Sequence, residues 1–294
     1  MKRAIFVGVV VACGSTPPPS KVSVAPPPDA TVKVTEPAPD PAPPELRLPA
    51  TIKPTRHDVT LTIDPSSADF TGTITIELDV AEPTSVVWLN GEEITLKRVA
   101  LGSGSELFEA RPIYPTKQVI GLVLNKPLPK GPAKLTMEYA GKIHANDGTG
   151  IYTAKQGDDW YAYTQFEATD AREAFPCFDE PSCKAPWKVS IKTKKALMAV
   201  ANTPMVSEKD LGNGDKLVEF AESKPMPAYL VAFGVGPFDV VEAGKTRTGV
   251  PIRIIVPKGR SADVAYPVQA TRPIVDLLED YFGTPYPYEK IDML

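Results

Sequence analysis

The sequence predicts a mainly β protein, with antiparallel sheets packed as a sandwich or saddle and a helix only near the C-terminal end; three observations lead there. From Leu46 onward, apolar and polar residues alternate with a period of two. Clusters of Gly, Asn, Asp and Ser punctuate that alternation, and helical spacing of apolar residues is absent until after Gly259. A period of two is the pleat of a half-buried strand, whose successive side chains face opposite sides of the sheet.

The first strong stretch sets Val59, Leu61 and Ile63 against Asp58, Thr60 and Thr62. The second sets Phe70, Ile74, Ile76, Leu78 and Val80 against Thr71, Thr73, Thr75, Glu77 and Asp79. Further strands are expected at 85–89, 94–99, 118–124, 134–139, 160–166, 188–192, 216–220, 229–235 and 252–256. Asn90-Gly91, Gly102-Ser103-Gly104, Asn146-Asp147-Gly148 and Gly212-Asn213-Gly214 supply turns between them, because these residue types tolerate turn backbone. After Gly259, Ser261 is placed to cap a helix with Val264, Val268, Ile274, Val275, Leu278 and Phe282 at helical spacing. Pro267 and Pro273 should bend or split that helix, and Gly283 should stop it. A Pro/Tyr turn at 284–288 then runs into the start of another strand, and no internal repeat is present.

Ahead of the β region, eleven of the 33 prolines fall between positions 17 and 44, and residues 16–45 contain no aromatic residue and no glycine. Such a stretch buries too little apolar area to offset its ordering entropy, so it is expected to be a semi-rigid spacer. Lys2 and Arg3 precede an apolar run at 4–12, and Val10-Val11-Ala12-Cys13-Gly14-Ser15 resembles a bacterial lipoprotein signal. In that pattern residues 1–12 are removed and Cys13 becomes the lipidated first residue. The run is too short to span a bilayer as a helix. The organisation expected is a signal peptide at 1–12, lipidated Cys13 and a linker at 13–45, a β domain at 46–248, and the beginning of a second domain at 249–294.

Composition narrows the function classes. With 43% hydrophobic and 23% charged residues the chain is globular in type, and a formal charge of −4 argues against sequence-independent nucleic-acid binding. That activity needs a concentrated Lys/Arg face to neutralise phosphates. Cys13, Cys177 and Cys183 are the only cysteines, too few for a disulfide framework or a zinc–cysteine cluster. Cys177 and Cys183 flank Pro181 and either form a bridge in an oxidising envelope or remain free thiols.

Three segments carry a family resemblance: 164–185 (TQFEATDAREAFPCFDEPSCKA), 224–238 (KPMPAYLVAFGVGPF) and 281–292 (YFGTPYPYEKID), with weaker agreement at Phe70-Thr71-Gly72-Thr73 and 148–152. Together they resemble the aminopeptidase N-like family of zinc exopeptidases, in family order across almost all of 56–294. The resemblance implies a saddle-shaped antiparallel β-sandwich of aminopeptidase N type, followed by the first helix and strand of a thermolysin-like catalytic domain. It also implies zinc as cofactor, held by an H-E-x-x-H helix and a more distant Glu beyond a G-A-M-E-N loop. Neither motif occurs here, so the resemblance implies that zinc site and catalytic residues lie beyond position 294 and that residues 1–294 alone are inactive. His57 and His144 begin no zinc helix and are expected to be strand or loop residues.

On a strand through 161–168, Tyr161, Tyr163, Gln165 and Glu167 fall on one face, joining aromatic walls, an amide and a carboxylate. That set suits a compact cation held beside an apolar side chain. The resemblance implies that Gln165 and Glu167 line the pocket for a substrate's first side chain and bind its free α-amine. A charge-assisted bond to an α-ammonium is stronger than a neutral one. Spacing alone leaves open a solvated edge carboxylate at Glu167. Asp170, Arg172, Asp179 and Glu180 are expected to form an ion-paired scaffold fixing the loop, stiffened by Phe175-Pro176 and Glu180-Pro181. The function implied is the N-terminal part of a membrane-anchored zinc aminopeptidase acting on peptides with a free N-terminus. With a lipid anchor at Cys13, its location is expected to be the bacterial cell envelope, at the outer membrane facing the periplasm or exterior. The alternative is a non-catalytic peptide- or protein-binding lipoprotein module.

Overall fold

The structure is a computed structural model that describes residues 39–145 and 148–294. Cys13, the 1–12 segment and most of the 13–45 linker lie outside the described residues. The chain divides into two units, Met1–Pro39 and Asp40–Leu294, and the strands and helices of the described residues lie in the second.

Four sheets account for most of that unit. The largest has eight strands in the spatial order Met205–Gly212, Asp215–Phe220, Trp187–Lys194, Ile52–Thr62, Asp69–Val80, Gly131–Lys142, Thr95–Ser103 and Glu106–Phe108. A five-stranded sheet runs Met198–Ala201, Phe233–Gly236, Asp159–Gln165, Gly150–Gln156 and His144–Ala145. Two three-stranded sheets complete the set: Phe238–Lys245, Pro251–Pro257 and Ile291–Met293, and Thr84–Asn90, Val119–Leu128 and Ala110–Thr116. Pairing is mainly antiparallel, but Ile52–Thr62 runs parallel to Trp187–Lys194, Gly150–Gln156 to His144–Ala145 and Pro251–Pro257 to Ile291–Met293.

The alternation in the two N-terminal strands is what the core uses. Val59, Leu61, Ile74 and Ile76 are fully buried while their polar neighbours face outward, and the register sets Val59 against Ile74. Each such side chain contributes about 1.5–3 kcal/mol through burial. Gly72 is paired with Tyr139, whose ring lies where a side chain at position 72 would sit. The space left by Gly72 lets the Tyr139 hydroxyl reach across and donate to the Ala174 carbonyl at 2.9 Å, tying the large sheet to the loop that carries the candidate site.

The C-terminal helix differs from expectation in detail. A short 3₁₀ turn, Ser261–Val264, leads into one uninterrupted helix, Ala265–Phe282, and Ser261 does not cap it. The Ser261 hydroxyl donates instead to Asp239 at 3.2 Å. Pro267 lies in the first turn, where its missing N–H costs nothing, and Pro273 is accommodated inside the helix. Gly283 ends it in the left-handed conformation, φ 66°. The strand expected at 229–235 is shorter, Phe233–Gly236, because Ala228–Leu230 forms a 3₁₀ turn.

Candidate substrate-binding site

The strands Gly150–Gln156 and Asp159–Gln165 form a hairpin in which Tyr152 faces Tyr163 and Gly150 faces Gln165. One face carries Tyr161 and Tyr163, which pack on Phe238 with ring centres 5.3 and 5.8 Å away; Tyr152 is 5.8 Å from Tyr163. The Tyr161 hydroxyl donates to the Pro237 carbonyl at 3.3 Å and accepts from the Lys258 N–H at 3.1 Å. Burial pushes the Tyr163 hydroxyl up to about 12, so it is a neutral wall at physiological pH.

Gln165 ends this strand, exposed to solvent. Glu167 does not share its strand face: Phe166 turns into the core against Phe175 and Phe233, with ring centres 5.5 and 6.3 Å apart, and residues 167–169 form an exposed turn. The strand ends at Gln165, so Glu167 lies beyond it in the turn that follows. The two candidate residues still meet, through the Glu167 N–H donating to Gln165 Oε1 at 3.4 Å. The Asp170 N–H closes the turn onto the Phe166 carbonyl at 3.0 Å and leads into the 3₁₀ turn Asp170–Glu173.

The expected ion-paired scaffold is present in part. Arg172 Nε donates to Asp179 Oδ2 at 3.1 Å in a buried pair. Burial raises the Asp179 carboxyl, and the contacts from Arg172 offset this only in part. Among the described residues Asp170 and Glu180 make no ion pair; Glu180 instead accepts the Leu48 N–H at 3.2 Å. Two members of the scaffold, Asn90 and Gln118, carry no sequence signal for this role. Asn90 Oδ1 accepts the Asp179 N–H at 3.0 Å, and Gln118 Oε1 accepts from Arg172 Nη1 at 3.2 Å. The Asn90-Gly91 pair signals a turn but not a tertiary partner.

Cys177 and Cys183 are free thiols, the first buried and the second half-buried; burial pushes both upward. His57 lies inside a strand, and His144 sits 3.1 Å from Glu93 and 3.7 Å from Glu173. Among the described residues no group of three or more His, Cys, Asp or Glu side chains is placed to hold a metal ion. The described residues thus offer no donor set that fits zinc.

A cavity of about 380 Å³ adjoins the aromatic face and is lined by Tyr152, Tyr163, Asn202, Tyr286, Lys290 and Asp292. A larger one, of about 670 Å³, lies against Met198, Phe220 and Phe238. Neither includes Gln165 or Glu167, whose exposure places them on an open surface rather than in an enclosed pocket. The smaller cavity is bordered by a buried cluster. Lys290 Nζ donates to the Ala201 carbonyl at 2.6 Å and to Asp292, while Arg253 holds Asp292 through two bonds at 2.8 and 2.7 Å.

Residues 53–230 match the family model for the peptidase M1 N-terminal domain. The chain is 33% identical over 260 residues to Aminopeptidase M1 of Arabidopsis thaliana, which covers 85% of this chain and 29% of that protein. It is 31% identical over 260 residues to human endoplasmic reticulum aminopeptidase 1, and 31% over 261 residues to bovine glutamyl aminopeptidase, covering 85% of this chain and 27% of each. The chain thus spans less than a third of the length of these relatives. These eukaryotic relatives overturn the expected bacterial cell-envelope location, since they are plant and animal aminopeptidases and not bacterial outer-membrane lipoproteins. With its motifs in family order on a mainly β fold, the chain belongs to the M1 aminopeptidase family and carries that family's N-terminal domain.

Proposed function

We propose that this chain is the N-terminal portion of a zinc aminopeptidase that removes first residues from peptides with a free N-terminus, and that it supplies the contacts to the substrate's α-amine and first side chain. The observation that carries the reading is the juxtaposition of Gln165, at the exposed end of its strand, with Glu167 in the turn that follows, joined by a 3.4 Å hydrogen bond from the Glu167 backbone N–H to the Gln165 side chain and backed by a buried scaffold. An α-ammonium meeting the Glu167 carboxylate gains a charge-assisted bond, and Gln165 beside it is placed to meet the first side chain. A blocked N-terminus offers the carboxylate no partner, which is the chemistry of exopeptidase selectivity.

In this reading residues 46–248 are the β domain and 249–294 open a catalytic domain. Zinc, when bound in such an enzyme, supplies the activated water; its ligands are not among the described residues of this chain, which do the binding and orienting instead. The proposal does not depend on Cys13. The test is a titration of isotopically labelled 1–294, followed by NMR, with leucinamide and with N-acetyl-leucinamide. The free amine should shift the amides of 165–170 and the blocked one should not, and Glu167→Gln should remove the difference. Equal shifts from both compounds would return Glu167 to an ordinary solvated carboxylate and leave the non-catalytic binding module as the better reading.

A further inference from the structure

We propose that Arg172, clamped between Asp179 and Gln118, is the positioning residue for the exposed turn 167–169, so that Gln118, remote in sequence, fixes where Glu167 is presented. The functional consequence rests on the reading of Glu167 as the amine-binding carboxylate; the positioning itself does not.

The turn stands on two buried feet. One is Phe166, 1% exposed and wedged between Phe175 and Phe233. The other is Ala171 and Arg172, 0% and 9% exposed. Between them Glu167, Ala168 and Thr169 are exposed, and the turn is closed by the bond from the Asp170 N–H to the Phe166 carbonyl. The first foot is apolar and held by shape. The second is a buried cation, and its orientation depends on hydrogen bonds.

Those bonds form a closed set. Arg172 Nε meets Asp179 at 3.1 Å, Nη1 meets Gln118 Oε1 at 3.2 Å, and the Arg172 carbonyl accepts the Glu92 N–H at 2.9 Å. The Gln118 amide is itself oriented, because its Nε2 donates to Glu92 Oε2 at 3.0 Å. Asp179 is fixed in turn by its N–H on Asn90 Oδ1, and Asn90 exchanges two backbone bonds with Cys177 at 2.8 and 3.0 Å. The planar guanidinium fork serves Asp179 and Gln118 together, which a lysine ammonium at the same place cannot match. Gln118 is solvent-exposed, so replacing it perturbs Arg172 without cutting into the core.

The experiment is amide hydrogen exchange on purified 1–294, comparing the parent, Gln118→Leu, Arg172→Lys and the double variant Glu92→Gln with Gln118→Glu. The double variant swaps the amide and the carboxylate, so both side-chain bonds can re-form with the same net charge. Gln118→Leu should speed exchange at the Asp170 amide by about three- to tenfold, as expected for losing one partly exposed bond to a charged group. Amides of Asp69–Val80 should exchange as in the parent, and the double variant should restore protection at Asp170. Unchanged Asp170 exchange in both Gln118→Leu and Arg172→Lys overturns the proposal, as does a loss spread equally over Asp69–Val80. A leucinamide titration of the same proteins separates the two ideas. If Gln118→Leu loosens the turn while Glu167→Gln leaves leucinamide binding unchanged, positioning stands and amine binding fails.

Discussion

The His57–Trp187 pair should make the fold sensitive to acid. The imidazole lies in the parallel pairing of Ile52–Thr62 with Trp187–Lys194, stacked on the indole with ring centres 3.9 Å apart and planes 8° from parallel. Both residues are 1% exposed, and neither His57 ring nitrogen nor the Trp187 indole N–H has a hydrogen-bond partner in the protein. Burial therefore lowers the His57 pKa to about 3, against an opposing effect of the Pro186 backbone. The native state keeps the ring neutral where the unfolded chain, titrating near 6.5, takes up a proton. The folded pKa is depressed, so the stability this group contributes is complete above about pH 6.5 and is lost as the pH falls toward about 3. Between pH 7 and pH 5 that loss amounts to about 2 kcal/mol, or roughly a twenty-five-fold change in the folding equilibrium. His57→Phe keeps the stack and removes the titration. Urea unfolding of both proteins at pH 7 and pH 5 isolates the difference, since carboxylates contribute equally to each. The parent should lose about 2 kcal/mol more than His57→Phe over this interval. Equal losses would refute the argument that the ring is buried without a partner for its proton.

Other expectations rest on single contacts. Gly72→Val should destabilise the fold by about 1–3 kcal/mol in chemical denaturation, because the new side chain meets the Tyr139 ring and disturbs its bond to Ala174. Native thiol labelling read by peptide mapping should modify Cys183 slowly and Cys177 only on unfolding; rapid labelling of Cys177 would contradict its burial. Purified 1–294 should neither retain stoichiometric zinc after dialysis nor hydrolyse aminoacyl chromogenic substrates, and tightly held zinc would contradict the proposed division of labour.

Where a strand alternates strongly, its sequence shows it. The stretches around Val59 and Ile74 fall inside Ile52–Thr62 and Asp69–Val80 because their inward faces are uniformly apolar. Met205–Gly212 is not legible in this way because it is a mostly polar edge strand, exposed along nearly its whole length. The helical period after Gly259 is legible too, but Ile274 and Phe282 are 53% and 68% exposed. Periodicity tells which residues share a face, not what covers it. At the site, motif resemblance locates Gln165 and Glu167, while the strand end between them depends on Phe166 packing against Phe175 and Phe233. Arg172 is held by Gln118 and its partner Asp179 by Asn90, both far away in the chain, and contacts of that separation leave no periodic trace in the sequence.

Steady-state kinetics discriminate best between an amine-binding and a merely solvated Glu167. In an aminopeptidase carrying this domain, Glu167→Ala should lower kcat/KM on a free-amine substrate by about ten- to a few-hundredfold, the loss expected for a charge-assisted contact of roughly 1.5–3 kcal/mol. Zinc content and folding should stay intact, and Gln165→Ala should cost less and mainly reorder preference among first residues. An unchanged kcat/KM in folded, zinc-loaded Glu167→Ala would contradict the claim that this exposed carboxylate holds the substrate's α-amine.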